Sequence, residues 1–419
     1  MDAKKIIQKL ELNPSREELR EVKKKADEFM SNFRKELLRQ GVKAEVFAGG
    51  SYAKGTLYKN ESYEVDIFVR FDWKYDELSD RVDSVLKKMK LKSQRVHGSR
   101  DYFKINEGIV NFEVVPVCSI KNPKEARNVT DLSYFHVNYV RKKAKSEKMK
   151  NEIRIAKAFC KANRVYGAES YVRGFSGYAL ECLIINYGSF LKMLGALTKA
   201  EGKILIDPEK KYKKSEIMIN MNESRTHSPI VLVDPTWKER NVLAALGDET
   251  FEIFRKAAKA FLARPDESYF VKKEIDVNRI REMAVKKKAE FVEVEIETDR
   301  QEGDIAGTKM KKFSEYLKEE IRKDYQILYD TYSYNLGQSS KLYLVLKSKG
   351  EIIRIGPPIG MKEHCKEFKK RNKRVFIKNG LLHAITDVKF SGKDFVERFK
   401  VLNDKKLEQM SISGLIAKG

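Results

Sequence analysis

Apolar residues recur every three or four positions between residues 15 and 39, at Leu19, Val22, Ala26, Phe29, Phe33 and Leu37, and this spacing predicts one amphipathic helix. Ser15 and Glu18 stand at capping-box spacing at its start, and Gly41 ends it. A short strand over 44–48 runs into Gly49 and Gly50, after which Ser51 opens a brief helical turn. The run over 63–71 reads as a strand. An amphipathic helix through DELSDRVDSVLKKMK follows, then a strand pair across DYFKI and IVNFEVVPV. Strands, a glycine turn and a few helices in this order predict a small mixed α/β domain with one face of its sheet open.

Beyond residue 145 the period becomes helical, in NEIRIAKAFCKA, SGYALECLIINYGSFLKML and KERNVLAALGDETFEIFRKAAKAFL. After Pro265 it changes again. FVEVEIE alternates strictly, KMKKFSEYLKEEIRK reads as a helix, QILYDTYSY and KLYLVLK as strands, and Asn379-Gly380 in FIKNGLLHAI as a hairpin turn. The order β-α-β-β predicts a ferredoxin-like domain, an architecture common among RNA-binding modules. The fold class is therefore α+β and multidomain. Its expected parts are 1–145, a helical 146–265, a ferredoxin-like 266–390 and a short, lysine-rich, partly helical tail over 391–419.

Composition narrows the function. Hydrophobic residues make up 42% and charged ones 35%, as in globular proteins, and no apolar run approaches the roughly eighteen residues of a membrane span. The first residues, MDAKKIIQKLELNPS, lack an apolar signal core, so a cytoplasmic protein without membrane association is expected. Cys118, Cys160, Cys182 and Cys365 have no CxxC spacing and read as small core residues. With 85 basic and 61 acidic side chains the formal charge is +24, a surface that attracts polyanions, nucleic acid first among them.

The chemistry concentrates in GGSYAKGTLYKNESYEVDIFVRF, residues 49–71. On a strand, residues two apart share a side, so Glu64 and Asp66 project together while Val65 and Ile67 face the other way. Glu113, in VNFEVVPV, is a third acid on an apolar strand that can lie alongside. Three clustered carboxylates repel one another unless a cation neutralises them, and magnesium suits such oxygen ligands together with substrate phosphates. Gly49 and Gly50 let backbone approach a ligand, and Ser51 begins a turn whose amides and hydroxyl can hold phosphate oxygens. An acid pair on a strand is ordinarily a wet sheet face, and GGS an ordinary turn. Their ordered combination with Glu113 points to two-metal nucleotidyl transfer.

These residues resemble a known signature. GGSYAKGTL followed by EVDIFV is similar to the motif of the polymerase-beta nucleotidyltransferase superfamily. The stretch from KANRVYGAESYVRGFSGYALECLIINYGSF to VDPTWKERNVLAAL resembles one branch of it, the class I, archaeal-type tRNA CCA-adding enzymes; RIGPPIG and RNKRVFIKNG extend the likeness more loosely. The resemblance implies a polymerase-beta-like catalytic head, a helical neck that recognises the nucleotide base, a body and a tail. It implies template-independent addition of CCA to the tRNA 3′ end from CTP and ATP with two Mg²⁺ ions. Glu64, Asp66 and Glu113 would be the catalytic metal ligands, and Gly50, Ser51 and Lys54 would hold nucleotide phosphates. Lys157 and Tyr166 match triphosphate contacts, Ser133 and His136 fall where the family touches the nucleotide, and Arg240 matches the arginine that reads the base edge. Read alone, Lys157 is a surface lysine, Tyr166 half-buried core and His136 a structural histidine. The chain departs from the family in carrying Glu113 where aspartate is usual, in LAALGDE after Arg240, and in a shortened end. The implied partner is tRNA, through its acceptor arm and upper half, and a homodimer stays open. Two rivals remain: a related transferase adding A, C or U, and an RNA-binding protein on an inactive transferase scaffold.

Overall fold

After a short helix, α1 (Ala3–Lys9), the chain reaches Ser15, whose hydroxyl accepts from the Glu18 amide at 3.1 Å while the Glu18 carboxylate accepts from the Ser15 amide at 2.6 Å. This reciprocal cap starts α2 (Arg16–Arg39), and Val22, Ala26, Phe29, Phe33 and Leu37 form its buried stripe as the spacing predicted, whereas Leu19, read into the same stripe, is exposed in the first turn. The computed structural model describes residues 2–98, 100–213, 216–221 and 226–419, and the chain divides into two units, 1–273 and 274–419.

In the first unit β1 (Ala44–Ala48), the short α3 (Gly50–Lys54), β2 (Tyr63–Phe71), α4 (Leu78–Lys88), β3 (Ser93–Val96), β4 (Tyr102–Glu107) and β5 (Val110–Cys118) follow α2. Their strands form one sheet in the order β1-β2-β5-β4-β3, in which β2 and β5 run parallel and the other neighbours antiparallel. α2 and α4 bury one face of the sheet, with Phe29 stacked on Phe112 at 4.4 Å and Val65, Ile67 and Val69 inaccessible beneath them. The opposite face carries Glu64, Asp66 and Glu113.

A helical array completes this unit: α5 (Ser133–Lys143), α6 (Glu147–Ala162), α7 (Gly177–Tyr187), α8 (Phe190–Lys199) and α10 (Asp248–Ala263), with β6 (Ile204–Ile206), α9 (Ile217–Asn220) and β7 (Ile230–Leu232) between the last two. Phe159, Phe190, Phe254, Phe261 and Phe270 meet in its core. Two expectations change here. The helix read over SGYALECLIINYGSFLKML breaks into α7 and α8, because Gly188 takes the left-handed C-cap conformation at φ 78° and the Ser189 side chain caps the next helix. The helix read from KERN begins only at Asp248. Residues before it fold back instead, with Asn241 bonded to Leu232 and Ser228.

The second unit holds α11 (Val277–Lys286), β8 (Glu290–Glu297), α12 (Asp304–Asp324), β9 (Tyr325–Tyr334), β10 (Ser339–Ser348), β11 (Glu351–Pro358), α13 (Lys362–Arg371), β12 (Val375–Lys378), β13 (Leu381–Asp387), α14 (Gly392–Leu402), α15 (Asp404–Gln409) and β14 (Gly414–Lys418). Its main sheet runs β14-β8-β10-β9, all antiparallel, which is the strand order of a βαββαβ ferredoxin-like fold. A three-stranded sheet, β11-β13-β12, is inserted after β10, and Asn379 and Gly380 turn between β12 and β13 with φ 50° and 73°. Residues 391–419, read as a short, lysine-rich, partly helical tail, hold α14, α15 and β14, and β14 completes the ferredoxin-like sheet beside β8. Cys365 is half-buried rather than core; the other three cysteines are buried. Among the described residues no single helix is long and apolar enough to cross a membrane.

Candidate active site

Parallel pairing of β2 with β5 sets Asp66 opposite Glu113 and Glu64 opposite Asn111. All three acids therefore rise from one face of two strands about 4.8 Å apart. Further along this face Phe47, Phe68, Val115 and Val117 form a small apolar cluster. Burial first, and then repulsion by Glu113 and Glu64, lift the Asp66 carboxyl to about 7, and burial raises Glu113 against the pull of Lys104.

The glycine doublet lies directly against these acids. The Gly49 amide donates to the Asp66 carbonyl at 2.8 Å. A Cβ on Gly50 would stand 1.6 Å from Asp66 Oδ2, and one on Gly49 2.0 Å from the Phe68 ring. Gly50 also has φ 52°, so both contact and conformation require glycine at this crossing.

Glu113 pairs with Lys104, its register partner on β4, at 3.2 Å. Among the described residues no three Asp, Glu, His or Cys side chains close around one point as metal ligands do. The donor set fits a divalent cation all the same. It consists of carboxylates on one face, mutually repelling, beside a cleft of about 490 Å³ lined by Glu64, Lys92, Gln94, Lys104, Asn111 and Glu113.

α3 leads away from the glycines and brings Lys54 to a buried acid that the sequence reading missed. Glu181 of α7 accepts from Lys54 at 2.7 Å through one oxygen, and from Lys157 at 2.8 Å and Thr56 at 3.2 Å through the other. Burial alone would raise Glu181, but the two ammoniums outweigh it and hold the carboxyl at about 2. Burial depresses Lys157, with Glu181 resisting. Lys157 is thus no surface lysine: 3% of it is exposed, and Arg154, one turn earlier on α6, donates to the carbonyls of Gly55 and Leu57 at 2.7 Å each. Tyr166 is nearby. A Cβ added to Gly177 would stand 2.8 Å from its hydroxyl and 3.7 Å from Lys157 Cε. Burial raises the Tyr166 hydroxyl, keeping it protonated.

Asp234 gathers the remaining candidates. His136 Nε2 lies 3.2 Å from it, Arg240 donates at 2.8 Å, Tyr178 at 3.1 Å and Thr236 at 2.7 Å. Burial would raise this carboxyl; His136 and Arg240 hold it well below the usual carboxylate range. Burial in turn depresses His136 while Asp234 opposes. The His136 ring stacks on Tyr178 at 3.9 Å, and Lys54 lies 5.4 Å from the centre of the same Tyr178 ring. The two clusters are therefore continuous, from Glu181 through Lys54 and Tyr178 to Arg240. Ser133 opens α5 three residues before His136, and Ser51 lies within α3.

Residues 30–150 match the nucleotidyltransferase domain family, and 151–271 match the second domain of tRNA nucleotidyltransferases. A CCA-adding enzyme of Nanoarchaeum equitans is 31% identical over 374 residues, which span 86% of this chain and 90% of that protein. The chain belongs to the CCA-adding enzyme family. Another relative, the CCA-adding enzyme of Methanocaldococcus jannaschii, is 28% identical over 96% of this chain and 90% of its own length. A cytoplasmic RNA terminal U-transferase shares the fold at a TM-score of 0.50 and 14% identity, over 65% of this chain and 98% of that one.

For a CCA-adding family member, the sequence motifs led to the carboxylate face and to the cations, but not to Glu181, Asp234 or Tyr178, which hold those cations. A signal was present. Glu181 is the lone acid in YALECLII and Asp234 the lone acid ending IVLVD, each an acid within an apolar run like Asp66 itself.

Proposed function

We propose that this protein builds the CCA end of tRNA from CTP and ATP in the cytoplasm, with residues 1–145 as catalytic head and 146–265 as base-recognising neck. The reading is carried by the facing register of Asp66 and Glu113, with Glu64 beside them and Gly50 pressed against Asp66. Glu64, Asp66 and Glu113 would hold two Mg²⁺ ions. Bound there, Mg²⁺ lowers the pKa of an attacking hydroxyl and neutralises a leaving pyrophosphate.

The protein's own groups do the rest. Gly50 and Ser51 approach the phosphates through backbone amides, and Lys54, Lys157 and Tyr166 supply positive charge and a protonated hydroxyl beside them. The Asp234 cluster fixes His136 and Arg240, so the guanidinium presents a set hydrogen-bonding edge to a base while Ser133 and His136 flank the nucleotide. The terminal ribose hydroxyl of the tRNA attacks the α-phosphate in line, and pyrophosphate departs. The acceptor arm and upper half of the tRNA are the expected contact, supported by the +24 charge.

The test incubates the purified chain with Mg²⁺, tRNA truncated at its 3′ end and each nucleotide singly, and resolves products by length. Two C additions followed by one A are expected, whereas a ladder of a single nucleotide overturns the CCA reading. Asp66→Ala should abolish transfer while tRNA binding stays near the parent value; extension at the parent rate would refute the metal assignment.

A further inference from the structure

Glu113 is one methylene longer than the Asp66 it faces across the β2–β5 pair, and it has two places to go. It can turn toward Asp66 and Glu64, or outward to β4. In this structure it turns outward, to Lys104, which stands opposite it in the β4–β5 register at 3.2 Å. The two partners differ in mobility. The Lys104 side chain is 43% exposed and that of Glu113 25%, so the lysine can swing into water more readily than the carboxylate. Both line the same cleft as Glu64.

We propose that Lys104 is the positioning residue of the third carboxylate, holding Glu113 toward β4 until a divalent cation competes for it. The inference rests on the metal-binding reading of Glu64, Asp66 and Glu113. Without an ion, the ammonium supplies a positive charge that relieves repulsion among three acids on one face. An arriving cation must break this pair and also meets the like charge of the lysine, so Lys104 weakens cation binding to the nucleotide-free protein. A shorter aspartate at position 113 would reach less far toward β4, which ties the lysine to the glutamate found here.

The test is Mn²⁺ titration of the nucleotide-free full chain, followed by loss of the free-ion EPR signal at fixed ionic strength. Lys104→Met should bind Mn²⁺ roughly three- to tenfold more tightly than the parent, since both the competing pair and the like charge are gone. Lys104→Arg keeps the charge and should stay within about twofold of the parent. If Lys104→Met does not fold, Lys104→Gln carries the same comparison. Unchanged or weaker binding by the neutral variant overturns the inference. The Asp66→Ala protein separates the two levels. If it binds Mn²⁺ as the parent does, the metal reading itself fails; if it loses the ion while Lys104→Met matches the parent, only the role of Lys104 falls.

Discussion

Glu181 lies in the apolar helix α7 with a lysine on each carboxylate oxygen. Lone buried charges are costly, and the arrangement holds because Lys54, Lys157 and Thr56 satisfy the acid while the acid keeps two ammoniums tolerable in a dry place. Removing its charge strands both lysines. Glu181→Gln should therefore lower the unfolding free energy by about 3–5 kcal/mol in a urea titration. Replacing Glu181 with Leu and both lysines with Met should recover most of that stability yet leave no nucleotidyl transfer. A Glu181→Gln protein as stable as the parent would remove the cluster from the fold's supports. Lys157 was legible only through family likeness, since no local signal tells that α6 is enclosed on every side from Ile153 to Cys160.

Among elements, the C-terminal residues depart furthest from expectation. β14 is a five-residue strand, and the inserted β11-β13-β12 sheet separates it from the pattern it completes. Local periodicity could not connect them. Leu415 and Ala417 are nonetheless buried against β8, at 1% and 5% exposure, and Ser413 donates to the Glu297 carbonyl at 2.9 Å. Deleting residues 414–419 should cost the second unit about 2–4 kcal/mol by urea unfolding and leave the β8 edge open to self-association. A free tail would come off without changing the transition. By contrast α2, β1 and β2 were legible almost to the residue, because a capping box, a glycine doublet and strict periodicity are local signals.

At the scale of the molecule, the charge excess is unevenly placed. The sheet face of the second unit away from α12 carries Glu293, Glu295 and Glu297, with Glu293 paired to Lys341 at 2.9 Å and Glu295 to Lys418 at 3.4 Å. Two of the three acids there are thus neutralised by lysines, and α11 packs Ile280 and Ala284 against Tyr343 and Val345 on the same face, in a fold that RNA-binding modules share. α13 is more basic: Lys362, Lys366, Lys369, Lys370 and Arg371 project from it against Glu363 and Glu367, which pair with Lys366 and Arg371, and none of its residues is buried. Binding of tRNA should follow counterion release, with affinity falling by roughly 10³-fold between about 50 and 200 mM salt if some six phosphates are neutralised. Filter binding across that range checks it. An affinity indifferent to salt would contradict a backbone-led contact.

What the sequence determined by itself is what neighbouring residues decide: α2 and its cap, the strand with Glu64 and Asp66 on one side, the glycines before it, and the basic surface. Tertiary structure alone decided which strand lies beside β2, and hence that Asp66 faces Glu113. It also decided that Glu181 and Asp234 collect cations from segments as far as 127 residues away. The physical reason is range. Periodicity and capping act over a few residues, whereas strand register and the pairing of buried charges depend on packing among segments that are distant along the chain.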